Sequence, residues 1–96
     1  MIQKIVCVYD RAIVTYARPF PVVHLGQALR SFTDEVNNPK SDLSTHSDDF
    51  ELFHLADFDD QSGLFISLES GPVRLARGKD VKVPPLDSSI PFDSRN

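Results

Sequence analysis

The sequence predicts an α+β fold in which one amphipathic helix covers one face of an antiparallel sheet of about four strands. Two apolar runs open the chain, a helical stripe follows them, and two further apolar runs flank a polar turn that contains glycine. The simplest fold with this order of hairpin, helix and hairpin is a helix packed on one face of an antiparallel sheet. A chain of 96 residues fits one small domain, which we place at residues 1–83, with a proline-rich flexible tail at 84–96.

The first predicted hairpin joins two β-branched runs. Residues 2–9 (IQKIVCVY) predict a mostly buried strand, and residues 12–17 (AIVTYA) predict a second. Only Asp10 and Arg11 separate them, which favours a hairpin although the Asn-Gly or Asp-Gly turn signature is missing. Cys7, the one cysteine, excludes an intrachain disulfide and is expected to be a small buried apolar residue.

A connector and a helix come next. Residues 18–22 (RPFPV) predict an extended connector, because each proline removes a backbone donor and restricts the residue before it. Beyond it apolar side chains recur at spacings of three and four, which predicts a helix with one apolar stripe formed by Val22, Leu25, Leu29, Phe32 and Val36. Gly26 is expected to permit close packing against the sheet. The helix should end at 37–39 (NNP), followed by a polar loop at 40–49 with at most one helical turn.

The second predicted hairpin is the clearest in the chain. Residues 50–58 (FELFHLADF) and 64–70 (LFISLES) read as strands about the turn at 59–63 (DDQSG). Residues 71–83 leave two alternatives open, a short helix through VRLAR or another strand at 79–83.

The strands carry more aromatic residues than one helix can cover. We therefore expect the second face of the sheet to be either solvated or buried against a partner, with self-association as a hypothesis. The strand aromatics are Tyr9, Tyr16, Phe50, Phe53, Phe58 and Phe65.

The formal net charge of −4 is unevenly distributed along the chain. Residues 1–40 sum to +2, residues 41–69 carry eight acids and no base, and residues 70–96 return to +2. Because the acidic block would repel phosphates, any contact with nucleic acid should use the flanking segments.

Motifs of catalysis and of cofactor binding are missing. The acidic turn at 57–63 resembles the opening of a calcium loop, but Ser62 and Leu68 stand where such a loop needs Gly and Glu. Neither a serine-hydrolase elbow nor a phosphate-binding glycine loop occurs. No metal-ligand spacing joins the histidines, which are His24, His46 and His54. We expect a non-enzymatic protein without metal or cofactor.

Membrane insertion is not expected either. No apolar run approaches the roughly 20 residues that a bilayer requires. The N-terminal apolar stretch is too short for a signal peptide and meets Asp10 and Arg11 at once. The sequence therefore predicts a cytosolic protein.

Single-stranded nucleic-acid binding is the functional option that the residues leave open, because it combines cations with aromatic stacking platforms. Arg11 and Arg18 flank the second predicted strand, which carries Tyr16, and Phe20 follows. A further cationic group lies within nine residues and consists of Arg74, Arg77, Lys79 and Lys82. The alternative interpretation is a solvated charged surface and aromatic residues that belong to the core.

Several stretches together carry a family resemblance. They are VYD at 8–10, Tyr16 with RPF at 18–20, LGQALRSFTDEVNNPKS at 25–41 and HSDDFELFHLADFDDQSG at 46–63. Over roughly residues 5–65 the chain resembles the nonstructural VP5, or ORF5, protein of gokushovirus-like Microviridae, which are small single-stranded-DNA bacteriophages. The helix pattern of that family is filled by Gly26, Ala28, Arg30, Phe32, Asp34, Val36 and Asn37.

The resemblance implies a protein of the host cytoplasm that is not part of the virion and is linked to single-stranded DNA synthesis or DNA binding. It supplies no catalytic residues. Our leading hypothesis is a replication accessory protein that binds single-stranded DNA or replication proteins. The cations at 74–82 would contact phosphates with help from Arg11 and Arg18, while Tyr16 and Phe20 would stack on bases. The alternative is a homo-oligomeric protein-interaction module that acts on a host or phage replication or packaging protein.

Overall fold

Two long antiparallel strands form the centre of the computed structural model, which describes residues 1–84. They are β1 (Ile2–Asp10) and β4 (Phe50–Asp59). Short antiparallel strands line their outer sides, with β2 (Thr15–Tyr16) and β3 (Phe20–Val22) on β1, and β5 (Leu64–Ser67) and β6 (Val73–Arg77) on β4. The predicted α+β class is confirmed, but the sheet has six strands rather than four.

One main helix, α1 (Leu25–Val36), covers one face of this sheet. Two single-turn helices, α2 (Asp42–Thr45) and α3 (Gly78–Val81), and a 3-10 turn at Ser47–Asp49 close the end of that layer. Phe32 and Val36 of the predicted stripe are buried together with Ala28, and they form the core with Val6 and Leu52. Leu29 is 39 % exposed, so the prediction that it lies on the buried side was wrong, and Val22 belongs to strand β3 rather than to the helix. None of the helices within residues 1–84 is long and apolar enough to cross a membrane.

Asn37 both ends α1 and fastens it to α3. Its side-chain amide donates to the carbonyl oxygens of Thr33 at 2.8 Å and Val81 at 3.1 Å. Its side-chain oxygen accepts from the main-chain N–H of Val83 at 2.7 Å. The predicted helix end is therefore confirmed, and the same residue also fixes the last described segment of the chain.

The first hairpin has a longer turn and a shorter second strand than predicted. Residues 11–14 form the turn, and Val14 has a φ of 55°, which a β-branched residue rarely adopts. Of the predicted strand at 12–17, only Thr15 and Tyr16 pair with β1. The predicted connector at 18–22 contains β3, whose Pro21 is tolerated because an edge strand needs partners on one side only.

Residues 71–83 follow neither of the two alternatives. The VRLAR segment is strand β6 rather than a helix, and 78–81 is helix α3 rather than a strand. VRLAR is extended because β4 offers it a free edge at 51–54. The predicted fourth strand ends early, at Ser67. The predicted flexible tail lies, from residue 85 onward, outside the described residues.

Two glycines differ in what surrounds them. A Cβ at Gly78 would collide with the main-chain oxygen of Ser47 and lie 3.1 Å from that of Phe50, so glycine lets α3 pack on the 3-10 turn. A Cβ at Gly26 would have no atom within 4 Å. The expectation that Gly26 permits close packing was therefore wrong, because the early turns of α1 stand clear of other elements at this position.

We predict that Gly78→Ala lowers the free energy of unfolding by about 1–3 kcal/mol, because backbone atoms must shift to admit the methyl group. The matched change Gly26→Ala should instead raise it by up to about 1 kcal/mol, since alanine is the better helix former. Urea denaturation followed by far-UV circular dichroism measures both. Equal effects of the two substitutions would contradict the packing assigned to Gly78.

Candidate nucleic-acid interface

Alternation along the strands separates the sheet into two surfaces. Residues that face each other across an antiparallel pair lie on the same face, and successive residues lie on opposite faces. Val8 and its partner Leu52 therefore face α1, as does Val6. The opposite surface, which we call the open face, carries five aromatic residues, namely Tyr9, Tyr16, Phe53, Phe58 and Phe65. The predicted surplus of aromatic residues thus occupies a face that no described helix covers.

A β-bulge in β4 brings this set together. His54 pairs with Val6 and Ala56 with Ile5, so Leu55 is an extra residue in β4. Because the bulge reverses the alternation, Phe53 and Phe58 share a face although they are an odd number of positions apart. Without it, one of the two rings would lie on the α1 side.

The bulge in β6 acts in the same way on two arginines. Arg74 is opposite Phe53, Ala76 is opposite Leu52, and Arg77 is opposite Glu51, which leaves Leu75 as the extra residue. Arg74 and Arg77 are three positions apart, yet both lie on the open face. The bulge therefore places two guanidinium groups on the same surface as the aromatic residues.

Three of the open-face rings pack into what we call the aromatic cluster, formed by Tyr9, Tyr16 and Phe53. The centroids of the two tyrosine rings are 4.6 Å apart, and Phe53 meets them edge-on at 5.8 and 5.5 Å. Tyr16 is at the sheet edge and is 43 % exposed, so part of its ring is available to a ligand. Beside the cluster Cys7 is fully buried, and burial raises the pKa of its thiol, which is unfavourable for a nucleophile.

Glu51 lies between the two arginines. Its Oε2 is 3.5 Å from Arg74 Nη1 and 3.8 Å from Arg77 Nε. The Glu51 side chain is only 9 % exposed, whereas that of Arg74 is 48 % exposed. Two guanidinium groups and one carboxylate sum to +1, and the more accessible charge of the Glu51–Arg74 pair is positive. This part of the open face is therefore suited to attract an anion.

The carboxylates of Asp57 and Asp60 are each paired with a cation. Asp57 is on the α1 side, where its Oδ1 is 2.9 Å from His54 Nε2 and 3.5 Å from Lys4 Nζ. Asp60, at the tip of the β4–β5 hairpin, is 2.7 Å from the N-terminal ammonium group. Among the strand residues on the open face between positions 1 and 84, Glu51 is the only acid. Of these three carboxylates, Glu51 is the one that lies beside the arginines.

The other predicted cations do not join this surface. Lys82 Nζ donates to the main-chain and side-chain oxygens of Ser44 at 2.7 and 2.6 Å, and thus ties the end of α3 to α2. Arg11 donates from its main chain to Asp49 at 2.7 Å and from its guanidinium to the Asp48 carbonyl at 3.4 Å. Both side chains therefore act within the fold.

Three further predicted residues lie apart from the aromatic cluster. Lys79 is exposed on α3, and Arg18 is exposed between β2 and β3. Phe20 is opposite Val6 on the α1 side of the sheet and not beside Tyr16, although it also lines a groove together with Phe58 and Phe65. Of the eight residues predicted for DNA contact, the structure brings together Tyr16, Arg74 and Arg77.

A shallow apolar groove of about 270 Å³ extends the open face beyond the cluster. Its walls include Ile5, Pro19, Phe58 and Phe65, and the last two rings are 4.9 Å apart. The groove therefore adds apolar and aromatic surface next to the aromatic cluster. Within residues 1–84, no group of His, Cys, Asp and Glu side chains is arranged to hold a metal ion.

A six-stranded antiparallel sheet with one helix-covered face and one open aromatic face defines a small α+β protein. The model of the family described as "Phage ORF5 protein" matches residues 3–81, and the chain belongs to this family of bacteriophage proteins. It is therefore a phage accessory protein of the ORF5 type, while the narrower placement among gokushoviruses stays a prediction. No curated protein and no solved structure matches the chain.

We predict that Glu51→Gln lowers the free energy of unfolding by about 1–3 kcal/mol, because two guanidinium groups lose their nearby carboxylate. Arg74→Gln should cost less than about 1 kcal/mol, since this side chain is half exposed. Chemical denaturation at neutral pH compares them, with Glu35→Gln on the exposed side of α1 as the control. An unchanged stability of Glu51→Gln would exclude a structural role for this ion-pair group.

Proposed function

We propose that this phage accessory protein binds single-stranded DNA on the open face and acts in viral genome replication. The observation that carries the proposal is the position of the aromatic cluster beside Arg74 and Arg77 on the sheet face that holds one carboxylate. Bases stack on exposed aromatic rings, and guanidinium groups bind phosphates. Groups suited to both kinds of contact therefore lie on one surface.

The spacing of these groups fits a short stretch of single strand. Tyr16, Tyr9, Glu51 and Arg77 lie in one row across β2, β1, β4 and β6. Three strand spacings of about 4.8 Å separate the first from the last, or roughly 14 Å. A strand stacked on Tyr16 can therefore extend its phosphates toward the arginines within the few nucleotides that one such domain contacts.

Duplex DNA suits this surface less well. Its bases are already stacked on each other, and its affinity rests on many phosphate contacts. The open face has two arginines, and the whole chain has a net charge of −4. We therefore expect single strands to bind more tightly than duplexes of the same length.

The proposal predicts a salt-dependent affinity for a labelled oligodeoxythymidylate of about 16 nucleotides, measured by fluorescence anisotropy. Each phosphate contact lowers the slope of log K against log salt by about 0.7 for single strands, so two arginines give a slope of about −1.4. The titration is run from about 20 to about 200 mM NaCl. No binding at micromolar protein and the lowest salt would refute the proposal.

Three variants separate the contacts. Arg74→Gln should reduce the steepness of the salt dependence by about 0.7. Tyr16→Leu should weaken binding by about 5- to 100-fold without changing that slope, because it removes a stacking ring and no charge. Arg30→Gln, an equal charge change on the exposed side of α1, is the control. An equal loss in Arg30→Gln would mean that binding depends on net charge alone and not on the open face.

A second candidate is a protein-interaction module that contacts replication proteins. It is favoured by an apolar groove of about 320 Å³ between α1 and the sheet, whose walls include Phe20, Phe32 and Leu43. A DNA-free pull-down with purified phage and host replication proteins would test it. In either form we propose a non-enzymatic role in the host cytoplasm, outside the virion and without a cofactor.

A further inference from the structure

Among the edge strands of the described sheet, β5 is the one that has none of the features by which proteins prevent an edge strand from pairing with another chain. β2 has two residues, β3 contains Pro21, and β6 carries Arg74 and Arg77; short length, proline and charge all discourage edge-to-edge association. β5 reads Leu-Phe-Ile-Ser and has neither charge nor proline. The sheet thus leaves one edge open to a further strand.

The side chains of β5 are also unusually exposed for their type. Leu64 is 62 %, Phe65 70 % and Ile66 46 % exposed. Phe65 is on the open face with Phe58, whereas Leu64 and Ile66 alternate to the other face. Within residues 1–84, β5 pairs with β4 alone, so its outer main-chain groups have no strand partner. A partner strand would remove apolar surface from water on both faces of the sheet.

We propose that β5 pairs with β5 of a second copy of this chain, antiparallel about a two-fold axis at Phe65. The strand is complementary to itself in this register. Phe65 meets Phe65, and Leu64 of each copy meets Ile66 of the other, so each of these pairs is apolar. A two-fold contact requires a surface that is complementary to itself, and this register sets apolar side chains against apolar side chains on both faces of the sheet.

The charges around β5 are compatible with this pairing. The paired positions 64–66 carry no charged side chain, so no two carboxylates face each other in these pairs. Asp60 is next to the ammonium group of Met1 at 2.7 Å and also accepts from the Gln3 amide at 3.3 Å. The acidic hairpin tip is therefore partly neutralised within its own chain.

The dimer would join the two open faces into one continuous sheet. The ring row formed by Phe58 and Phe65 in each copy would then run across the two-fold axis. This consequence rests on the proposed DNA function, because two linked faces would bind one long strand more tightly than two separate faces. The pairing itself requires no DNA, so the two proposals can fail separately.

Disulfide trapping tests the register in the full-length chain. Directly opposed residues have Cα atoms about 4.5–5.5 Å apart, within the range of about 4.4–6.8 Å that a disulfide spans. Phe65→Cys should therefore cross-link to itself on mild oxidation. Leu64→Cys alone should not cross-link. When it is mixed with Ile66→Cys, the two variants should form a disulfide-linked mixed dimer. Both of these variants retain Phe65. Native Cys7 is fully buried and should not take part in cross-linking. The control is Val14→Cys, at a position in the first hairpin that is 72 % exposed.

Sedimentation equilibrium tests the association without a cross-link. A four-residue edge forms a small interface, so the proposal predicts dimers over about 5 to about 500 µM protein. Phe65→Lys should weaken the association at least about 10-fold, whereas Val14→Lys should leave it unchanged. A wild-type monomer at the highest concentration, or cross-linking of Val14→Cys equal to that of Phe65→Cys, would overturn the proposal. A dimer that binds no DNA would overturn the proposed function alone, and a monomer that binds DNA would overturn this inference alone.

Discussion

The register between β1 and β4 is the constraint on which the rest of the molecule depends. These two strands pair over nine positions, and every other strand of the described sheet attaches to one of them. The pairing places Val6 and Leu52 beneath α1 and leaves Tyr9 and Phe53 on the opposite face. A slip of one residue would exchange the two sets, because side chains alternate along a strand. The register between β1 and β4 therefore determines both the composition of the core and the composition of the candidate site.

The two β-bulges determine which side chains lie on each face of the sheet. Leu55 and Leu75 each add one residue to a strand, and after each the alternation is reversed. As a result the open face combines rings and arginines that strict alternation would have divided between the two faces. Leu75 still packs against the core, so the β6 bulge adds apolar contact on one side while it aligns the arginines on the other.

Much of the fold could be predicted because its main elements are encoded locally. The apolar stripe of α1, the long β-branched run of β1 and the turn before β5 each carry their own signal. The short strands could not be predicted in the same way. β2, β3 and β6 are extended because β1 and β4 present free edges to them, and such long-range pairing leaves little trace in local composition. The second strand was predicted too long because Val14 adopts a backbone conformation that its side chain disfavours.

The candidate site was predicted only in part, for a related reason. Charge clustering along residues 74–82 suggested one cationic surface, but the chain changes from strand to helix at Gly78. Lys82 therefore points to Ser44 and serves the fold, while the two arginines remain on the sheet. Tyr9 and Phe53 were assigned to strands but not to the site, since a bulge has no reliable sequence signature that would reveal which face they share.

Glu51 is the residue that most limits the strength of the proposed DNA contact, and it also positions one of the arginines that would make the contact. A carboxylate between two guanidinium groups reduces the local charge to +1, so this surface alone can support only modest electrostatic binding. The same carboxylate holds Arg74 near Phe53 and the aromatic cluster, which lowers the conformational freedom lost when a strand binds. With little charge per copy, affinity for a long strand would have to come from stacking and from several copies acting together. A self-complementary β5 edge provides such a means of joining copies, and it lies on the same side of β4 as the two arginines.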